Sequence, residues 1–109
     1  MFNKIINKLL GKVLYKKSLT NNRRYTQLAV FSSDYINNQI LIHGRYDNDF
    51  LNYLESNLAF NSKEVNCMDV GANIGNHSIA FSDIFEIVYS FEPSVRTYKL
   101  LECNSMLKH

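Results

Sequence analysis

Asp69-Val-Gly-Ala-Asn-Ile-Gly-Asn-His77, followed by Phe91-Glu92-Pro93, decides the fold class of this chain. Val65-Asn-Cys-Met-Asp-Val70 reads as a short strand that Gly71 ends. A helix is expected from Ile74 to about Asp83, with Asn73 as its N-cap. Ile87-Val-Tyr-Ser-Phe91 is a near-continuous apolar run, as in a parallel strand covered on both faces. Ser94 then caps a last helix carrying Val95, Tyr98, Leu101 and Met106. Strand, turn, helix, strand is a βαβ unit, right-handed by default. Its turn lies at the carboxyl end of the first strand, where open α/β sheets bind ligands.

The chemistry of that turn is specific. Gly71 permits a sharp exit from the strand and close approach of a ligand to the backbone. Gly75 lets the helix start pack closely. The helix N-terminus supplies N–H groups and a partial positive end. Glu92 lies 21 positions beyond Gly71, at the end of the second strand, where a ribose-binding acid is expected about 20 residues on. An ionised carboxylate accepts hydrogen bonds from both ribose hydroxyls and repels a 2′-phosphate. The turn departs from the dinucleotide fingerprint, however, because Asn73 and Asn76 stand where glycines are required. Asn73 would hinder a pyrophosphate but could hydrogen-bond an amino-acid moiety. Spacing therefore leaves both NAD and S-adenosylmethionine open and tilts towards the second.

The motif Asp69-Val-Gly-Ala-Asn-Ile-Gly-Asn-His77, with Phe91-Glu-Pro93 and Leu100-Leu-Glu-Cys-Asn104, resembles the FkbM-type methyltransferases. The likeness runs from about Ile42 to Asn104 and is strongest from Cys67 to Pro93. It implies a Rossmann-like, seven-stranded α/β fold, S-adenosylmethionine as cofactor, and methylation of a hydroxyl on a sugar, glycan or secondary metabolite. On that likeness Asp69, Gly71, Ala72, Asn73 and Gly75 line the methionine end of the cofactor, and Glu92 holds the ribose. It also implies a cytoplasmic enzyme. No catalytic base is assigned. His77 is expected to cap or pack rather than to act as a base, and His43 and His109 receive no role. Phe50, Phe81, Phe85 and Phe91 are read as core.

The remainder of the sequence frames this unit. The chain has 109 residues, an apolar fraction of 46% and one proline, which suits at most one ordinary globular domain. Seven of its twelve basic residues precede the first acid, Asp34, so a basic head is followed by an acidic body. Phe2, Ile5, Ile6, Leu9, Leu10, Val13 and Leu14 follow helical spacing, flanked by a row of Lys4, Lys8, Lys12 and Lys16. Two readings compete: a docking helix with a solvated basic edge, or an interfacial helix on anionic lipid. Nucleic acid is disfavoured, because the basic residues lack interleaved aromatics. Recurrent lysines also interrupt any signal-peptide core, and no apolar run is long enough to span a membrane. Cys67 and Cys103 fit neither a zinc site nor a disulfide framework, and Cys67 reads as a buried thiol.

Three segments are expected. Residues 1–24 form the basic helix and, from Ser18, a polar linker. Residues 25–60 form a β-hairpin, from Leu28-Ala-Val-Phe31 and Gln39-Ile-Leu-Ile42, and then a helix over Phe50, Leu51, Leu54 and Leu58 with Asp47 or Asp49 near its N-cap. Residues 61–109 form the first part of a truncated Rossmann-like methyltransferase domain, with an exposed sheet edge that self-association could cover. The alternative from another class is a non-catalytic remnant or interaction module, membrane-apposed through residues 1–17.

Overall fold

The computed structural model describes residues 1–58 and 61–108. Among these residues the protein is α/β: five helices accompany one small parallel sheet of two strands. The chain divides into two compact units, Met1–Tyr46 and Asp47–His109.

In the first unit, α1 (Phe2–Asn22) and α2 (Tyr35–His43) pack together. The amphipathic spacing of α1 predicts its helix, but the helix runs through the expected linker to Asn22. Its end is tied down: the Asn21 amide donates to the carbonyls of Leu41 and Ile42 at 3.4 and 3.3 Å. No residue of α1 is buried.

The expected hairpin is absent. Leu28–Phe31 has no regular structure, and Gln39–Ile42 lies inside α2. Local caps decide this. Asp34 Oδ1 accepts a 3.0 Å hydrogen bond from Asn37 N–H, which starts the helix. Gly44, at φ 85°, ends it and donates its N–H to the Ile40 carbonyl, a glycine stop of the left-handed type. A four-residue apolar run cannot by itself distinguish strand from helix. Here the two caps, ten residues apart, do so.

The second unit contains α3 (Asn48–Asn57), a single 3-10 turn (Ser62–Glu64), β1 (Cys67–Val70), α4 (Asn76–Ile84), β2 (Val88–Phe91) and α5 (Val95–Leu107). Asp47 precedes α3 at φ 60° but makes no side-chain cap. Ser94 does cap α5, its hydroxyl accepting from Thr97 N–H at 3.4 Å. Strands β1 and β2 pair in parallel, Cys67 with Val88 through Val70 with Phe91. The core is built by Leu51 of α3, Ile74, Ala80 and Ile84 around α4, Phe85, and Leu101 of α5.

Among the described residues, the sheet has one covered face. Cys67, Asp69, Val88 and Ser90 are half-buried, on the side on which α4 packs. The alternate residues Met68, Val70, Tyr89 and Phe91 are 67, 76, 48 and 51% exposed. Phe91 is thus not core, contrary to expectation, because strand parity puts it on the open face. Phe50 is also exposed, at 46%, whereas Phe85 is buried. Cys67 is half-buried rather than buried.

His77 packs, as expected. Its ring stacks on Phe81 with centroids 5.8 Å apart and meets Phe50 edge-on at 6.0 Å, while Nε2 lies 3.4 Å from Asp47 Oδ2. Among the described residues, no helix is long and apolar enough to cross a membrane.

Candidate functional site at the strand ends

The site is the turn between β1 and α4, seen with the residues that follow β2. Three residues in five adopt left-handed backbone: Gly71 at φ 82°, Asn73 at φ 52° and Gly75 at φ 94°. Asn tolerates this conformation better than most side chains do. The helix therefore begins at Asn76, with Gly75 as its cap. Asn73 is not the N-cap: it lies within the turn, because the chain needs two further residues to reverse before it can coil.

The two end glycines do different things. A Cβ on Gly71 would meet no atom within 4 Å, so open space lies beside this residue. A Cβ on Gly75 would stand 2.8 Å from Leu101 Cδ1. Gly75 thus serves the close approach of the turn to α5. Ala72 is buried, Asn73 half-buried and Gly71 exposed.

Glu92 ties the two strand ends together. Its Oε2 accepts a 2.9 Å hydrogen bond from Asn73 N–H, and its Oε1 accepts one of 2.8 Å from Ser94 N–H. A carboxylate has about four acceptor positions, so each oxygen retains capacity for a ligand hydroxyl. The rest of the turn is braced internally. Gly71 N–H and Ala72 N–H both donate to the Phe91 carbonyl, at 2.9 and 3.0 Å, and Gly75 N–H donates to the Ala72 carbonyl at 2.9 Å. Of the five backbone N–H groups from Gly71 to Gly75, four are therefore paired within the protein.

Asp69 is oriented from beneath. Its Oδ2 accepts a 2.6 Å hydrogen bond from the Ser78 hydroxyl, which accepts one of 2.8 Å from Ser90 Oγ. Ser90 is the register partner of Asp69 across the sheet. A polar chain thus runs from β2 through α4 to β1, on the covered face.

Sequence reasoning missed Ser78 and Ser90, and also the part played by Asn104. Asn104 is fully buried on α5 and donates to the Ile74 carbonyl at 2.8 Å. Signals existed for two of them. Ser90 is the one small polar residue in an otherwise aliphatic and aromatic run. Asn104 lies three residues after Leu101, on the helix face that is buried.

The structure thus places Asp69, Gly71, Asn73 and Glu92 about the carboxyl ends of the two strands, with Ala72 and Gly75 packed behind them. This arrangement offers two carboxylates and turn carbonyls as acceptors, while four of the five turn N–H groups are paired within the protein. Among the described residues no group of three or more His, Cys, Asp or Glu side chains is placed to hold a metal ion. Compared with protein-family models, with curated proteins and with solved structures, the chain matches none.

Proposed function

We propose that this chain carries the first cofactor-binding βαβ unit of a Rossmann-like, S-adenosylmethionine-dependent methyltransferase of the FkbM type. The observation that carries this reading is the acceptor-rich turn. A dinucleotide pyrophosphate is held by backbone N–H groups at such a turn. Here four of those groups are already engaged, and Asp69 and Glu92 add negative charge. S-adenosylmethionine has the complementary character, with an ammonium, a sulfonium and two ribose hydroxyls. A cation gains from the two carboxylates what a pyrophosphate loses.

The residues fit the cofactor in a second respect. Glu92 is oriented by two backbone bonds and keeps acceptor capacity on both oxygens, so it would hold the ribose diol. Gly71 leaves space where any side chain would intrude. Asp69, Gly71, Ala72, Asn73 and Gly75 would form the wall towards the methionine end. When bound, the cofactor supplies an electrophilic methyl group. The acceptor in this reading is a hydroxyl on a sugar, glycan or secondary metabolite, methylated in the cytoplasm, and catalysis would rest mainly on positioning.

Calorimetric titration of S-adenosylhomocysteine and, separately, NAD into the folded chain tests the reading. Saturable heat with S-adenosylhomocysteine and none with NAD is expected. Preference for NAD, or no binding of either by a folded chain, would remove it in favour of a dinucleotide unit or a non-catalytic interaction module.

A further inference from the structure

The first helix is the largest feature that the strand-end site does not use. Along the apolar stripe of α1, Phe2, Ile5, Ile6, Leu9, Leu10, Val13 and Leu14 are all exposed. An exposed contiguous apolar patch of this kind marks an interaction surface. Lys4, Lys8, Lys12 and Lys16 run beside it one turn apart, joined by Lys17, Arg23 and Arg24, and no acid occurs before Asp34.

From this combination we infer that α1 binds in the plane of an anionic lipid surface, its apolar stripe at the acyl boundary and its lysines among the headgroup phosphates. The inference is independent of the methyltransferase reading.

Charge complementarity selects the occupant. A second copy of α1 laid against the same stripe would bring two lysine rows together, with no acid on either helix to offset them. A nucleic acid would satisfy the lysines and leave seven apolar side chains in water. An anionic bilayer satisfies both halves of the helix: apolar area enters about 5–10 Å into the interface while basic residues stay at the headgroups. The lysines are long enough to keep their ammonium groups at the phosphates while their stems follow the apolar side. The helix is suited to lying flat rather than to crossing, since a lysine recurs at every turn.

The experiment uses the full chain with vesicles of phosphatidylcholine, either pure or containing about one-third phosphatidylglycerol. The protein has no tryptophan, so Phe2→Trp introduces a single reporter of insertion. Co-sedimentation with the anionic vesicles is expected, with a blue-shifted emission and at least a roughly hundredfold weaker partitioning into the neutral ones. Raising ionic strength from about 0.1 M to about 1 M, which shortens the screening length from about 10 Å to about 3 Å, should weaken binding comparably.

Replacing Lys4, Lys8, Lys12 and Lys16 together by Gln should lower partitioning at least roughly a hundredfold, each basic residue near such a surface contributing about fivefold. Helical circular dichroism of that variant in buffer should be unchanged. Equal binding to both vesicle types, or no vesicle binding by the folded chain, overturns the inference without recourse to any variant. Self-association that Leu9→Asp abolishes, in a chain blind to vesicles, would assign the stripe to a second copy. Binding to RNA with no vesicle binding would assign the lysines to nucleic acid. Either result refutes the lipid assignment and leaves the cofactor titration untouched.

Discussion

Asn104, in the middle of α5, donates its side-chain amide to the backbone carbonyl of Ile74, thirty residues earlier in the turn, and is fully buried in doing so. The turn between β1 and α4 is thus held from three sides: by Glu92 beyond β2, by the Phe91 carbonyl, and by α5. Replacing Asn104 with Leu would keep the volume and remove the donor, leaving a buried carbonyl unpaired. A loss of about 1–3 kcal/mol is expected, read as a lower urea midpoint. An unchanged midpoint would mean that the bond contributes nothing to the hold on the turn.

Gly71 and Gly75 share a left-handed backbone but differ in surroundings, and their alanine variants should separate accordingly. Gly71→Ala meets no atom, so it should cost only the backbone strain, about 1–2 kcal/mol. It should also weaken S-adenosylhomocysteine binding, by filling the space beside the turn. Gly75→Ala carries the same strain and in addition places a methyl group 2.8 Å from Leu101 Cδ1, so it should be the more destabilising of the two. Thermal melts of both variants check the order, and the reverse order would contradict the packing described.

Glu92 has two tasks, bracing Asn73 and Ser94 and offering acceptors to a ligand, which substitution can divide. Glu92→Ala removes both and should weaken S-adenosylhomocysteine binding at least tenfold, with a stability loss of about 0.5–1.5 kcal/mol, mainly from the half-buried Asn73 N–H, since water can reach the exposed Ser94 N–H. Glu92→Gln keeps one acceptor oxygen. It should recover part of the stability but little of the affinity, because a diol is best matched by a carboxylate that accepts on both sides. Full affinity in the Gln variant would remove the ribose assignment.

Burial pushes the Cys67 thiol above its ordinary 9.0, with a smaller push from the Asp69 charge. The folded protein therefore holds this proton more tightly than the unfolded chain does. Its contribution is undiminished below pH 9.0 and is lost as pH rises through the unfolded and then the folded value. Alkylation of Cys67 by iodoacetamide, followed by mass spectrometry, should show an inflection above pH 9.0. Cys67→Ala should lessen the alkaline loss of stability. An inflection at or below 9.0 would contradict the direction.

Much of the second unit was legible in the chain because its signals are local. Gly71 ends a strand through its own backbone freedom, Ser94 caps a helix three residues ahead of its partner, and strand–helix–strand order follows from hydropathy. The same local logic misled in the first unit. Gln39–Ile42 has the composition of a strand, but Asp34 and Gly44 bracket it as a helix. The start of α4 was misplaced at Asn73 for a related reason: Asn suits both an N-cap and a left-handed turn, and only the bond from its N–H to Glu92 selects the second.

The sequence by itself determined a βαβ order, a glycine turn at a strand's carboxyl end, a carboxylate 21 positions on, and a helix with one apolar and one basic side. These depend on backbone preference and on periodicity, which act within a few residues. Tertiary structure alone decided that the N–H groups of Gly71, Ala72 and Asn73 are taken by Phe91 and Glu92, that Ser90 and Ser78 orient Asp69, that Asn104 reaches back to Ile74, and that, among the described residues, Met68, Val70, Tyr89 and Phe91 stay exposed on one face of the sheet. Each joins groups brought near only when the strands pair and the helices pack. The bracing of the site, with Asp69 and Glu92 held in place as acceptors, is therefore a property of the fold rather than of the motif.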